Sequence, residues 1–123
     1  MKILVVEPLT APYEKEIAGG LESMQAVVGG YIQAIYPFED DELALICNEE
    51  GKLLGLEPNR AVRNEETNEI MDIVCGTFLI CGLGEEDFCS LTEEQIEKYS
   101  KMFEQPELFL WNGSQLIVLP AGI

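Results

Sequence analysis

The chain has 123 residues with 23 acids against 7 bases and no histidine, for a formal net charge of −16. A field of that sign repels phosphate backbones and anionic lipid, so direct nucleic-acid or membrane-surface binding is disfavoured and a basic protein is the suited partner. The hydrophobic fraction of 47% excludes a disordered acidic tail, and the length suffices for one core without disulfide or metal staples.

Residues 2–6, KILVV, read as a short buried strand ended by Glu7-Pro8. The run is too short for a signal-peptide core or a membrane span, which points to the cytoplasm. Residues 10–20 are ambiguous, with Pro12 and Gly19-Gly20 as breakers and an extended stretch over 13–17. Leu21, Met24, Val27 and Val28 recur at helical spacing, and Gly29 supplies a left-handed stop. Residues 31–36, YIQAIY, have the aromatic and β-branched composition of a strand. The acidic run 39–42 lacks the spaced Asp/Asn and glycine pattern of a calcium loop and reads as a solvated turn.

Residues 43–48 are almost continuously apolar, as in a strand buried on both faces. Asn48-Glu49-Glu50-Gly51 then predicts a tight hairpin turn, with positive φ at Gly51 and a returning strand over 52–54. Gly55 and Pro58 break regularity, so Asn59-Arg60 are expected on an irregular passage. A polar hairpin over 63–68 leads to a strand at 70–74, and residues 76–82, GTFLICG, form a further strand. Residues 84–89 read as an acidic loop. Residues 91–103 form the clearest helix: Thr92 with Gln95 makes a capping box, Leu91 with Ile96 a hydrophobic staple, and Ile96, Tyr99 and Phe103 one apolar face. Asn112-Gly113 sets a hairpin over 108–119 that is either a last piece of core or an arm docking on another copy of the chain. There is no repeat and no linker. The expected fold is a single α+β domain over residues 1–123, a mixed, mostly antiparallel sheet of about five to seven strands with two packed helices.

Without histidine, every Ser-His or Cys-His arrangement and every histidine-bearing metal triad is excluded. Cys47, Cys75, Cys81 and Cys89 contain no CxxC pair, so no zinc site is expected, and free thiols suit a reduced compartment. No phosphate-binding glycine motif occurs beyond the fragment Gly82-Leu83-Gly84. No cofactor, metal or catalytic residue is therefore expected. The polar residues beside apolar strands are Tyr31, Gln33, Asn48, Asn59, Arg60 and Thr77. Arg60 could grip an anionic ligand bidentately, with Tyr31, Asn48, Asn59 and Thr77 converging on it. The plainer alternative pairs Arg60 with an internal acid and uses Asn48 and Asn59 to hold turns.

Three blocks carry a resemblance: VVGGYIQAIYP (27–37), NEEGKLLGLEPNRA (48–61) and DIVCGTFLICG (72–82). In order and spacing they resemble the DUF3846 family, and GEEDFCSLTEEQIEKYSKMF (84–103) is similar to the C-terminal helix of its longer members. The tail from Leu108 lies outside the resemblance. The resemblance implies a small cytosolic protein of unknown function, of the kind encoded by clostridial gut bacteria, phages and conjugative elements, with no catalytic residues to assign. Its pattern points to Gly30-Tyr31, Asn48, Gly51, Asn59-Arg60 and Gly76. The leading expectation is a non-enzymatic accessory or protein-interaction domain of mobile-element origin, with a possible homodimer through the C-terminal segment. One alternative is an acidic DNA mimic or counter-defence inhibitor that occupies a basic protein. The other is a small anionic-ligand-binding domain centred on Arg60.

Overall fold

The computed structural model describes residues 1–121. Along the chain, β1 (Lys2–Val6) and β2 (Tyr13–Glu16) pair antiparallel, and α1 (Gly20–Val28) leads to β3 (Ile32–Ile35) and β4 (Leu43–Asn48). Then β5 (Pro58–Arg63) and β6 (Ile70–Cys75) form a hairpin, followed by β7 (Phe78–Leu83) and the short β8 (Phe88–Cys89). Helix α2 (Glu93–Met102) precedes a last hairpin, β9 (Glu107–Asn112) and β10 (Gln115–Pro120).

The central sheet has six strands in the order β2-β1-β7-β4-β3, with β8 added to β7, and the two hairpins are separate two-stranded sheets. Every pairing among the described residues is antiparallel. The α+β expectation holds, and the six strands of the central sheet fall within the expected range; four more strands lie outside it.

The continuous apolar runs of β1, β4 and β7 have a direct cause. Strand side chains alternate between faces, and both faces of this sheet are covered. Ile3, Val5, Ala44, Ile46, Leu79 and Cys81 meet Met24 and Val28 of α1 on one face. Leu4, Val6, Leu43, Leu45, Phe78 and Ile80 meet Ile96 and Tyr99 of α2 on the other, together with Val62 and Val74 of the β5–β6 hairpin. Gly29 closes α1 in the left-handed conformation, as its position in the sequence requires. The capping box of α2 is formed: the Gln95 amide donates to Thr92 Oγ1 at 3.1 Å and the Thr92 amide to Gln95 Oε1 at 2.9 Å. Two expectations change. Leu21 is exposed instead of joining the apolar face of α1, and the end of the acidic loop at 84–89 forms β8 against β7.

The acidic run is anchored at one point. Asp41 accepts hydrogen bonds from Lys98 Nζ and the Tyr99 hydroxyl, and these hold its carboxyl below the usual carboxylate range, Lys98 contributing most. A depressed folded-state value means that the stabilisation is complete above about pH 4, the ordinary carboxylate value, and is lost as pH falls through the folded value. Asp41→Asn is expected to lower stability by about 1–2 kcal/mol at neutral pH. In urea titrations from pH 7 to pH 3 the gap to the wild type should close below about pH 4. A gap that is constant with pH would mean that the carboxylate charge contributes nothing.

Candidate functional site

The segment expected to turn tightly and return as a strand does the first and not the second: the Gly51 amide donates to the Asn48 carbonyl at 3.2 Å, but no strand follows. Residues 49–55 form successive turns, and 52–54 are not a strand. Gly51 is not at positive φ; it is needed because a Cβ there would lie 2.8 Å from the Cys75 carbonyl oxygen. Pro58 opens β5 at the edge of a bulge, where a missing amide is tolerated. Asn59-Arg60 therefore sit in a strand, not on an irregular passage. The register slips between Pro58 and Arg60, leaving Asn59 without a cross-strand partner, and both side chains are buried.

Asn59 Nδ2 donates to the Val6 carbonyl at 2.8 Å and the Gly76 carbonyl at 2.9 Å. Its Oδ1 accepts from Arg60 Nη1 at 2.8 Å. The guanidinium of Arg60, a residue 1% exposed, makes four further bonds, all to backbone carbonyls. Nε and Nη2 reach Phe103 at 3.2 and 2.9 Å, Nη2 also reaches Thr10 at 2.6 Å, and Nη1 reaches Asn59 at 3.3 Å. All five N–H donors of the group are thus engaged. The expected internal acid is absent from this set: every acceptor is a neutral oxygen. Phe103 is the C-cap of α2, so the guanidinium satisfies a carbonyl left over by the helix and opposes the negative end of its dipole. Burial pulls the guanidinium down from its ordinary value, and the nearby Glu107 partly offsets this. The pair joins the end of β1, the loop after it, the turn into β7 and the end of α2.

The remaining expected site residues lie elsewhere. Asn48 is buried; its Nδ2 donates to the Val28 carbonyl at 3.3 Å, and its Oδ1 accepts the Glu50 amide at 2.8 Å in an Asx turn. Tyr31 is exposed, and its carbonyl accepts the Glu49 amide. Gln33 is exposed on β3, and Thr77 is half-buried between β6 and β7. Arg60 and Asn48 line different clefts, and Tyr31, Asn59 and Thr77 line neither. Among the described residues no cluster of His, Cys, Asp and Glu is arranged to hold a metal. Three of the four cysteines offer little nucleophile: burial pushes the Cys81 thiol up to about 12, and also raises Cys47 and Cys75.

One feature was not assigned from the sequence, and one was left between two readings. A cleft of about 560 Å³ lies between the β5–β6 hairpin, the end of α2 and the β9–β10 hairpin, with Arg63 and Lys98 among its lining. No periodicity links Arg63 to Lys98 or Val118; the only hint was a second arginine three residues after Arg60. The other feature is the outer face of the last hairpin. Phe109, Trp111 and Leu116 line a shallow groove with Ile70, Met71 and Ile73 of β6. By alternation Leu108, Leu110, Ile117 and Leu119 point the opposite way, and three of these, Leu108, Leu110 and Leu119, are exposed. The hairpin is thus core on neither side in full.

A family model described as a domain of unknown function, DUF3846, matches residues 1–104. The chain belongs to this family. No curated protein and no solved structure matches it. The match ends one residue after Phe103, so every bonding partner of Asn59 and Arg60 lies inside the DUF3846 region and the β9–β10 hairpin lies beyond it. Among the described residues no helix is long and apolar enough to cross a membrane.

Proposed function

We propose that the chain is a non-enzymatic interaction domain that self-associates through the outer face of its C-terminal hairpin. The observation that carries this reading is the apolar face of Leu108, Leu110, Ile117 and Leu119, on which Leu108, Leu110 and Leu119 are exposed among the described residues. A two-stranded sheet alone is marginal, and long apolar strands left in water are normally avoided. Charge favours a second copy as the occupant. Residues 108–123 contain no charged side chain, although 24% of the whole chain is charged. Two copies meeting here bring no carboxylates face to face, and the same patch on each makes a closed two-fold dimer. An origin in mobile elements, which the family resemblance implies, suits a small accessory binder of this kind.

The acidic surface supports the DNA-mimic alternative less well. Glu93, Glu94 and Glu97 lie on α2 and Glu22 on α1, helices that cover opposite faces of the sheet, while Glu14 and Glu16 lie on the edge strand β2. Such acids make no single elongated row. An Arg60-centred ligand site is also less favoured, because that guanidinium has no donor left to offer.

One hairpin face is smaller than the ~800 Å² per partner of a standard interface, so the dimer is expected to be weak, with Kd on the order of 10 µM. Sedimentation from ~5 to 200 µM should show a monomer–dimer equilibrium on that scale. It should tighten as salt screens the repulsion between two acidic bodies; binding to a basic partner would weaken instead. Leu110→Glu places a charge at the centre of the face and should weaken association by more than about 100-fold, without lowering Tm. A monomer throughout that range in high salt, or a dimer indifferent to Leu110→Glu, would sink the proposal.

A further inference from the structure

We propose that the cleft between the β5–β6 hairpin, α2 and the β9–β10 hairpin binds a small amphipathic anion, an apolar body carrying one carboxylate or phosphate head. The first observation is charge. Three of the chain's seven bases, Arg60, Arg63 and Lys98, line this cleft, against two acids, Glu65 and Glu107. The lining is therefore net positive by one in a chain that is net negative by sixteen. Asp41, bonded to Lys98 at the rim, brings the balance there to zero, still far from the acidity of the rest of the chain.

The second observation concerns donors. Arg60 has none to spare; no carboxylate touches it among the described residues, and the nearby Glu107 offsets its charge only in part. Arg63 is the opposite case. Its side chain is one-third exposed, and a single Nη2 bond to Glu107 Oε2 at 2.9 Å is its sole bond among the described residues. Four of its five N–H donors remain available for an incoming anion. Glu107 fixes the arginine in place, because its other oxygen accepts the Ala61 amide at 2.9 Å. A guanidinium held by one arm with its remaining donors open is built for bidentate recognition of a carboxylate or phosphate.

The third observation is the body of the cleft. Phe38, Val62, Met102 and Val118 contribute apolar surface, and about 560 Å³ falls within the range that encloses a small molecule. Asn64, Asn68 and Gln105 add polar wall beside that surface, so the cleft offers an apolar body and an oriented polar anchor on a mixed lining. Lys98 is committed to Asp41 and acts at the rim as part of that pair, not as a second anchor.

The cleft uses the inner side of the last hairpin and the self-association proposal its outer side, so the two stand or fall separately. The test is an NMR titration of the full-length uniformly ¹⁵N-labelled chain, in the Leu110→Glu background to keep it monomeric, with octanoate, octyl phosphate and 1-octanol as probes. Saturable shifts localised to the amides of Arg63, Asn64, Met102 and Val118 are expected for at least one of the two anions, and which one saturates identifies the head group. Arg63→Gln should weaken that binding by about tenfold or more. Val118→Trp, which fills the cleft, should abolish it, while Lys101→Gln, outside the cleft, should leave it unchanged. Absence of saturable shifts with both anions overturns the proposal. So does equal affinity for 1-octanol, which would mean that the head group is not read, or binding that Arg63→Gln leaves intact.

Discussion

Arg60→Met is expected to lower the free energy of unfolding by about 2–4 kcal/mol, shifting a urea midpoint down by roughly 2 M for a domain of this size. Methionine keeps most of the apolar stem, so the loss is the head group. Replacing both partners of a buried polar contact by apolar groups can be nearly neutral, but here only one partner leaves. The Phe103 carbonyl loses two bonds and the Asn59 oxygens lose two, and both residues are buried. Thr10 is exposed, so its carbonyl can return to water at little cost. Three buried acceptor atoms, the Phe103 carbonyl and both oxygens of Asn59, at about 1–3 kcal/mol each, less the gain from no longer desolvating a charge, set the estimate. Arg60→Lys should recover only part of the loss, since one ammonium cannot span Thr10, Phe103 and Asn59. A shift of either variant below about 0.5 kcal/mol would show that water replaces the guanidinium.

Asn59→Leu should cost a similar amount, about 2–4 kcal/mol. It strands the Val6 and Gly76 carbonyls and takes away one acceptor of Arg60 Nη1. Because the two side chains share a bond, the double variant should lose less than the sum of the singles, by about 0.5–2 kcal/mol. Additive losses in chemical denaturation would instead describe two independent contacts that happen to be neighbours in sequence.

The parts of the fold that one local rule decides were legible in advance. The capping box at Thr92 and the Asn112-Gly113 turn needed only a few adjacent residues, and the double-sided burial of β4 followed from its unbroken apolar run. The segment from Asn48 to Arg60 was misread for the opposite reason. Asn-Glu-Glu-Gly satisfies the local rule for a hairpin turn, yet Asn48 is bonded to α1 and Gly51 lies against Cys75, contacts 20 or more residues away. The turn itself forms, but tertiary packing and not turn chemistry decides where the chain goes after it, so no hairpin follows. Arg60 was singled out correctly as unusual, but its role was hidden, because backbone carbonyls have no signature in a sequence. The same holds for the cleft, whose walls come from segments that no periodicity connects. The DUF3846 pattern is read more fully beside the structure. Gly30, Asn48, Gly51, Asn59, Arg60 and Gly76 are close approaches and latches between distant segments.

The neutral surroundings of Arg60 bear on how the domain meets acid and salt. The ion pairs of Lys2, Lys52, Arg63, Lys98 and Lys101 all depend on a carboxylate. They fade as pH drops or, at the surface, as ionic strength rises. Carbonyl oxygens neither titrate nor exchange for chloride. As the carboxylates protonate and the net charge climbs from −16 towards +7, the seven bases of the chain alone, the joint between β1, β5, β7 and α2 keeps all its bonds. The last piece of tertiary structure to loosen in acid should therefore be the one built around the most buried charge.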